Sequence, residues 1–190
     1  MITFVFLLQK WNAVYNLTAI TDPQQSVVRH ILDSLSILKF VQGPQVLDVG
    51  AGAGLPGLPL ALMLPDVSFV ECDCVNKKTR FMQQAVIELG LKNVQVQAGR
   101  VEQLWLQPTA HKQPVPQFDT IISRAFSTIA DMIGKAGPLC RQGGRLLAMK
   151  GVYPEQELAS ISSPFQIQAV EKLEVYGLDE QRTVVVLHKT

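Results

Sequence analysis

Asp48-Val49-Gly50-Ala51-Gly52-Ala53-Gly54, followed by Leu55-Pro56-Gly57-Leu58-Pro59, places an acid two residues ahead of three alternating glycines. Without a Cβ, glycine lets the chain turn tightly and lets a ligand approach the backbone. A helix starting behind the turn aims unpaired N–H groups at the same spot. Pro56 and Pro59 fall in its first turn, where proline costs little. The arrangement suits a nucleotide-like cofactor. Gly52 to Gly57 is a literal G-x-G-x-x-G, which alone points weakly to a dinucleotide and hence to a nicotinamide-dependent oxidoreductase. Asp48 shifts the choice. A pyrophosphate gains nothing from a carboxylate at the mouth of the first strand, whereas an ammonium or sulfonium group does. S-adenosyl-L-methionine carries both.

Other residues fit the same chemistry. Asp73 follows about 20 residues after the glycines, at the end of the next strand, where an acid accepts hydrogen bonds from ribose hydroxyls. Glu71 shares its strand face and is the alternative, less favoured because it lies further from the carboxyl end. Val101 and Glu102 follow the third strand, beside the expected adenine; Glu102 reads equally as a helix-start acid favoured by the dipole. Arg124, at the end of the fourth strand in Ser123-Arg124-Ala125-Phe126, offers a planar fork suited to phosphate or a guanine edge. That position lacks the Asn/Asp-Pro-Pro-aromatic sequence of exocyclic-amine methyltransferases. Cys140 follows Leu139 and reads as core, not as a cytosine-C5 nucleophile. A site without an activating base fits a nucleophile that needs none, such as guanine N7, brought in line with a sulfonium methyl. Arg29, His30, Lys77, Lys78, Arg80, Arg124, Arg141, Arg145 and Lys150 supply cations for an RNA backbone. Arg29, Lys77, Lys78 and Lys150 are the expected RNA contacts, although any single lysine reads equally as a solvated face.

The elements that must position these groups follow from periodicity. Residues 1–40 read as helical. Asp22 caps a helix whose first residue is Pro23, and Val27, Val28, Ile31, Leu32, Leu35 and Leu38 recur at helical spacing. Strands are predicted over 45–49, 67–72, 94–97, 118–123 and 145–150, the last after a Gly143-Gly144 turn. Helices are predicted over 56–64, 76–90, 101–104, 128–136 and 154–160, with a proline-rich loop over 105–117. Strands over 167–176 and 183–189 are too close for a crossover and should form an antiparallel hairpin. The expectation is an α/β fold of the class I, Rossmann-like S-adenosyl-L-methionine-dependent methyltransferase type. It has a mostly parallel sheet, a C-terminal antiparallel hairpin and an N-terminal helical cap. It forms one domain over 1–190, with the cap over 1–43 and the cofactor-binding core over 44–190.

Bulk properties agree. The chain has 190 residues, 47% of them hydrophobic, enough for one core. A net charge of +1 restricts any polyanion site to a local patch. Three cysteines and three histidines argue against a disulfide framework or a metal site and fit a reducing cytoplasm. The apolar start, Met1 to Leu8, lacks the basic flank and cleavage site of a signal peptide and is too short to span a membrane. Nothing suggests an obligate dimer, so a monomer is expected.

Five motifs occur in order: Trp11-Asn12-x-x-Tyr15-Asn16-Leu17-Thr18, Arg29-His30-Ile31-Leu32-Asp33-Ser34, the run from Asp48 to Pro59, Ser123-Arg124-Ala125 and Met149-Lys150-Gly151. Together they resemble the RsmG/GidB family of bacterial 16S rRNA guanine-N7 methyltransferases, over nearly the whole chain. The resemblance implies methyl transfer from S-adenosyl-L-methionine to N7 of one guanine in 16S rRNA, presented as naked RNA, an assembly intermediate or the small ribosomal subunit. It implies cofactor contacts from Gly50, Leu55, Val101, Glu102 and Arg124, besides the Asp48, Gly52 and Asp73 read above. A non-catalytic RNA-binding module that keeps the cofactor as a structural ligand is a further alternative. The family turn usually reads Gly-Thr-Gly-Pro-Gly; alanines at 51 and 53 imply a looser loop. Family members also have a longer helical segment before the tryptophan, which implies weaker packing of the cap here.

Overall fold

The structure, a computed structural model, describes residues 1–105, 115–124, 126 and 128–190. Most of the loop expected over 105–117, and Ala125 of the fourth-strand motif, lie outside the described residues.

Seven strands form one sheet in the order β3-β2-β1-β4-β5-β7-β6. β1 (Gln45–Val49), β2 (Ser68–Asp73), β3 (Val94–Ala98), β4 (Phe118–Ser123) and β5 (Cys140–Lys150) are parallel. β6 (Phe165–Lys172) and β7 (Thr183–Lys189) run antiparallel to each other, and β7 pairs antiparallel with β5. The side-chain period of two shows directly in the core. Val46, Ile122 and Leu147 pack on one face of the sheet, while Leu47, Ile121 and Leu146 pack on the other.

The helices are α1 (Ile2–Tyr15), α2 (Pro23–Ser26), α3 (Asp33–Leu35), α4 (Gly57–Met63), α5 (Asn76–Glu88), α6 (Val101–Trp105), α7 (Ile129–Ala136) and α8 (Glu155–Leu158). Asp22 caps α2 through Gln25 N–H at 2.6 Å, as its Asp-Pro start predicts. Thr128 caps α7 through Asp131 N–H at 3.0 Å. Between α2 and α3 the backbone widens into a π-helical turn, Val27–Leu32, which periodicity alone could not distinguish from α-helix.

The cap packs where a weaker contact was expected. Phe4 and Leu8 of α1 are fully buried in one cluster with Phe81, Met82 and Ala85 of α5 and with Ala51 and Ala53 of the glycine turn. Those alanines are buried beneath the cap. Asn12 Oδ1 accepts from Leu17 N–H and Thr18 N–H at 2.7 and 2.8 Å, turning the chain after α1.

Two boundaries differ from expectation. Gly143 and Gly144 form no turn before β5 but an irregularity inside it, where the pairing with β4 shifts register. A Cβ on Gly144 would lie 2.9 Å from Cys140 Sγ and 3.0 Å from Asp119 O, so only glycine lets the strands close there. β6 ends at Lys172, and residues 173–182 make an ordered loop closed by Leu173 N–H to Arg182 O at 2.8 Å.

Candidate active site

The glycine turn crosses from β1 to α4 with Gly50, Gly52 and Gly54 at φ 71°, 62° and 74°, the left-handed region that a side chain disfavours. Most of its N–H groups have internal partners. Gly50 and Ala51 donate to Cys72 O at 2.8 and 3.1 Å, and Gly52 donates to Asp73 Oδ2 at 2.9 Å. Gly57, first residue of α4, donates to Asp48 Oδ2 at 2.8 Å. The helix start expected to face a ligand is therefore satisfied from below by a carboxylate.

That carboxylate corrects a premise of the sequence reading. Asp48 is not at the mouth of its strand but fully buried under the turn, register partner of the equally buried Glu71. Desolvation pushes both carboxyls up, and each is coupled to the other. Glu71 is raised well above its ordinary range by burial and by the neighbouring Asp48. Two charges cannot coexist at that depth. Glu71 thus supports the turn from beneath and does not reach a ribose. Asp73 lies further out: Oδ1 accepts from Val75 N–H at 2.8 Å and Oδ2 from Gly52 N–H, leaving lone pairs for further donors.

Three clefts run in a line along the carboxyl ends of the strands. The first, about 230 Å³, is lined by Gly50, Asp73, Cys74, Gly99, Val101, Glu102 and Phe126. The second, about 180 Å³, lies over the glycine turn between Thr18, His30, Gly50, Gly52, Leu55, Lys78 and Arg124. The third, about 280 Å³, is lined by Ile20, Arg29, His30, Asp33, Arg124, Met149, Lys150, Gly151 and Arg182. Gly50 is common to the first two, and His30 and Arg124 to the last two. Of the predicted cofactor residues, Gly50, Gly52, Leu55, Asp73, Val101, Glu102 and Arg124 line the first two clefts; Asp48 lines none of the three.

Asp33 organises the junction. It is buried, and its oxygens receive Arg124 Nη1 at 3.1 Å and Arg182 Nε at 3.0 Å. The π-helical turn makes a second anchor. Asp33 N–H reaches back to Val28 O and His30 O, so Arg29 O is left for Arg124 Nη1 at 3.3 Å. His30, between the second and third clefts, meets Thr18 Oγ1 at 3.1 Å through Nε2. Burial, aided by the Arg124 charge, pushes its pKa down to about 4, so the ring is neutral at neutral pH. Sequence reasoning had Asp33 only inside a motif and missed Arg182 altogether. An arginine just ahead of the last strand gives no local sign that the fold brings it to the same aspartate as Arg124.

Comparison with known proteins now decides the family. The GidB family model, described as rRNA small subunit methyltransferase G, matches residues 1–185. The chain belongs to that family. The ribosomal RNA small subunit methyltransferase G of Neisseria meningitidis serogroup C (strain 053442) is 44% identical over 190 residues, covering 100% of this chain and 87% of the relative. Its counterpart in Aromatoleum aromaticum is 47% identical over 191 residues, covering 98% and 87%. Among solved structures, an S-adenosyl-L-methionine-dependent methyltransferase from Aquifex aeolicus superposes with TM-score 0.59 at 20% identity, covering 89% of this chain and 94% of that one. M. capricolum TrmK, solved with S-adenosyl-homocysteine, gives 0.63 at 11%, covering 83% and 67%. These likenesses carry the fold: class I, Rossmann-like.

As a member of the rRNA small subunit methyltransferase G family, the chain is an S-adenosyl-L-methionine-dependent methyltransferase, and the oxidoreductase alternative drops. The fold agrees. After five parallel strands the sheet closes with an antiparallel pair, where a dinucleotide fold would continue its second parallel half. The cleft residues fit the cofactor: an acid at the strand end for a ribose, and Val101 with Phe126 as apolar walls for a flat base. Among the described residues no cluster of His, Cys, Asp and Glu could hold a metal, and no helix is long and apolar enough to cross a membrane.

The four predicted RNA contacts separate. Arg29 and Lys150 line the third cleft, Arg29 at 2.6 Å from Glu180 and Lys150 at 3.0 Å from Glu157. Lys78 lines the second cleft. Lys77 instead donates to Tyr15 O and Asn16 O at 2.7 and 3.2 Å, where it caps the C-terminus of α1. One of its three N–H donors is left for a further acceptor.

Proposed function

We propose that the protein transfers the methyl group of S-adenosyl-L-methionine to N7 of a guanine in small-subunit (16S) rRNA. The observation that carries this is Arg124 lining both the cleft over the glycine turn and the basic third cleft, locked there by Asp33. In this reading Asp73 accepts from the ribose hydroxyls, and Val101 and Glu102 flank the base. Gly50, Gly52 and Leu55 shape the turn around the rest of the cofactor. Asp48 acts through the turn, by fixing Gly57. The cofactor supplies an electrophilic methyl on a sulfonium.

The third cleft then receives the acceptor guanine. Its N7 lone pair is free at neutral pH, so no base is required, and alignment supplies most of the rate. Arg124 is the catalytic residue. Its fork donates to the guanine O6 edge or the adjoining phosphate while N7 stays open. Neutral His30 keeps a further cation away from the acceptor. Arg29 and Lys150 face the RNA from the cleft wall, and Lys78 from the glycine side. The protein acts as a cytoplasmic monomer on rRNA within the small ribosomal subunit or its precursor; its three free thiols fit a reducing compartment.

The test is nucleoside analysis. Small subunits lacking guanine-N7 methylation are incubated with the protein and labelled S-adenosyl-L-methionine, digested, and resolved by mass spectrometry. Label in 7-methylguanosine at one rRNA position is expected. Label in another nucleoside would overturn the N7 assignment.

A further inference from the structure

Two loops, carrying Gly151 and Arg182, form the rim of the third cleft. Residues 173–182, the ordered loop between β6 and β7, lie against the π-helical turn. A Cβ on Gly177 would meet Val28 Cγ2 at 3.4 Å, Glu180 pairs with Arg29 at 2.6 Å, and Arg182 reaches Asp33 at 3.0 Å. Leu178 N–H closes a tight turn onto Val175 O at 3.0 Å, with Gly177 at φ 78°. Leu173 and Val175 point inward, whereas Tyr176, at the corner of that turn, is 89% exposed. Across the cleft, Gly151 lines the wall, and Tyr153, two residues on and hence within about 7 Å along the chain, is 57% exposed.

Two exposed tyrosines on the two loops that edge a cleft carrying Arg29, Arg124, Lys150 and Arg182 match the chemistry of single-stranded RNA. Cations track the phosphates, and rings stack on unpaired bases. A turn held this firmly keeps its ring at small entropic cost, which is what a stacking platform needs. We propose that Tyr176 and Tyr153 stack on the unpaired nucleotides that flank the acceptor guanine, holding the strand open while the guanine enters the third cleft. This rests on the reading of that cleft as the RNA acceptor site.

Equilibrium binding to unmethylated small subunits at fixed salt tests it, with Tyr176→Ala, Tyr176→Phe, Tyr153→Ala and the unsubstituted protein compared. Each alanine variant is expected to bind roughly tenfold more weakly, the size of one lost base stack. Tyr176→Phe, which keeps the ring, should bind within about twofold of the parent. S-adenosyl-L-methionine affinity, measured by calorimetry, should be unchanged in all of them, which verifies their folding. Parent-like subunit binding by both alanine variants overturns the stacking proposal and leaves the methyltransferase reading standing. Failure of the unsubstituted protein to bind subunits overturns the acceptor-site reading and the stacking proposal with it. Weakening of Tyr176→Phe to the level of Tyr176→Ala would assign the contact to the hydroxyl and overturn stacking at that position.

Discussion

Asp33 is the residue on which the junction between the clefts depends most. Its carboxylate is almost wholly buried and holds two arginines whose side chains stay partly solvated. Asp33→Asn keeps the shape and removes the charge, leaving Arg124 and Arg182 without their counter-ion. Breaking such a pair costs about 2–3 kcal/mol, the low end for buried pairs because the arginines still reach water. Methyl transfer should fall at least tenfold, with cofactor affinity near the parent's, measured by single-turnover kinetics and calorimetry. Transfer at the parent rate would show that Asp33 does not position Arg124. Three other buried groups, His30, Asp48 and Glu71, tie stability to pH. His30 has its pKa lowered from 6.5 to about 4, so its contribution is present above pH 6.5 and is lost as pH falls toward 4. Glu71 is raised, so its contribution is present at low pH and is lost as pH rises above its ordinary 4.5 through its higher folded value. Asp48, raised from 3.8 to about 7, acts in the same sense, so the carboxyl pair opposes His30 between pH 4.5 and 6.5, and above that the loss through Asp48 continues to about 7. The melting midpoint should therefore decline as pH rises from 6.5 through about 7, and Glu71→Gln, which removes one of the two coupled carboxyls, should flatten that decline. An equally steep decline in the variant would place the titrating group elsewhere.

The glycine turn and α4 work as one element because a buried acid ties them together. Gly57 approaches Glu71 so closely that a Cβ there would run into Oε1. Its N–H is also the one that Asp48 holds. Gly57→Ala must push α4 off the sheet or displace Glu71, overpacking that costs about 2 kcal/mol. The expected result is a melting midpoint lower by roughly 4–8 °C and weaker cofactor binding, read by thermal melts and calorimetry; unchanged values for both would mean that the helix can shift freely. This element also shows what a sequence can disclose. The alternating glycines, the strand and the helix start were legible because local sterics dictate them. That Asp48 turns under the turn instead of out of it was not, because the direction depends on β2 supplying Glu71 as its neighbour across the sheet. Most strand positions, the antiparallel closing pair and the cap at Asp22 were legible for the same local reason. The π-helical turn and the Asp33–Arg182 pair arise only once elements far apart in the chain meet.

At the scale of the molecule, the sheet order places the ends of β2, β1, β4 and β5 side by side, and the three clefts follow that edge. The cap closes the same edge from above: α1 packs on α5, Lys77 fixes its end, and Thr18 delivers the hydroxyl that meets His30. The fold and the three clefts are thus one construction, with Arg124 shared by the second and third. With a net charge of only +1, the proposed RNA contact depends on this local surface and not on the field of the whole protein. The most direct test of that account is single-turnover methyl transfer to unmethylated small subunits by the parent and by Arg124→Ala, each saturated with S-adenosyl-L-methionine. The expected rate is at least tenfold lower in the variant, with its fold retained. Transfer at the parent rate would contradict the claim that Arg124 joins the two clefts into one active site.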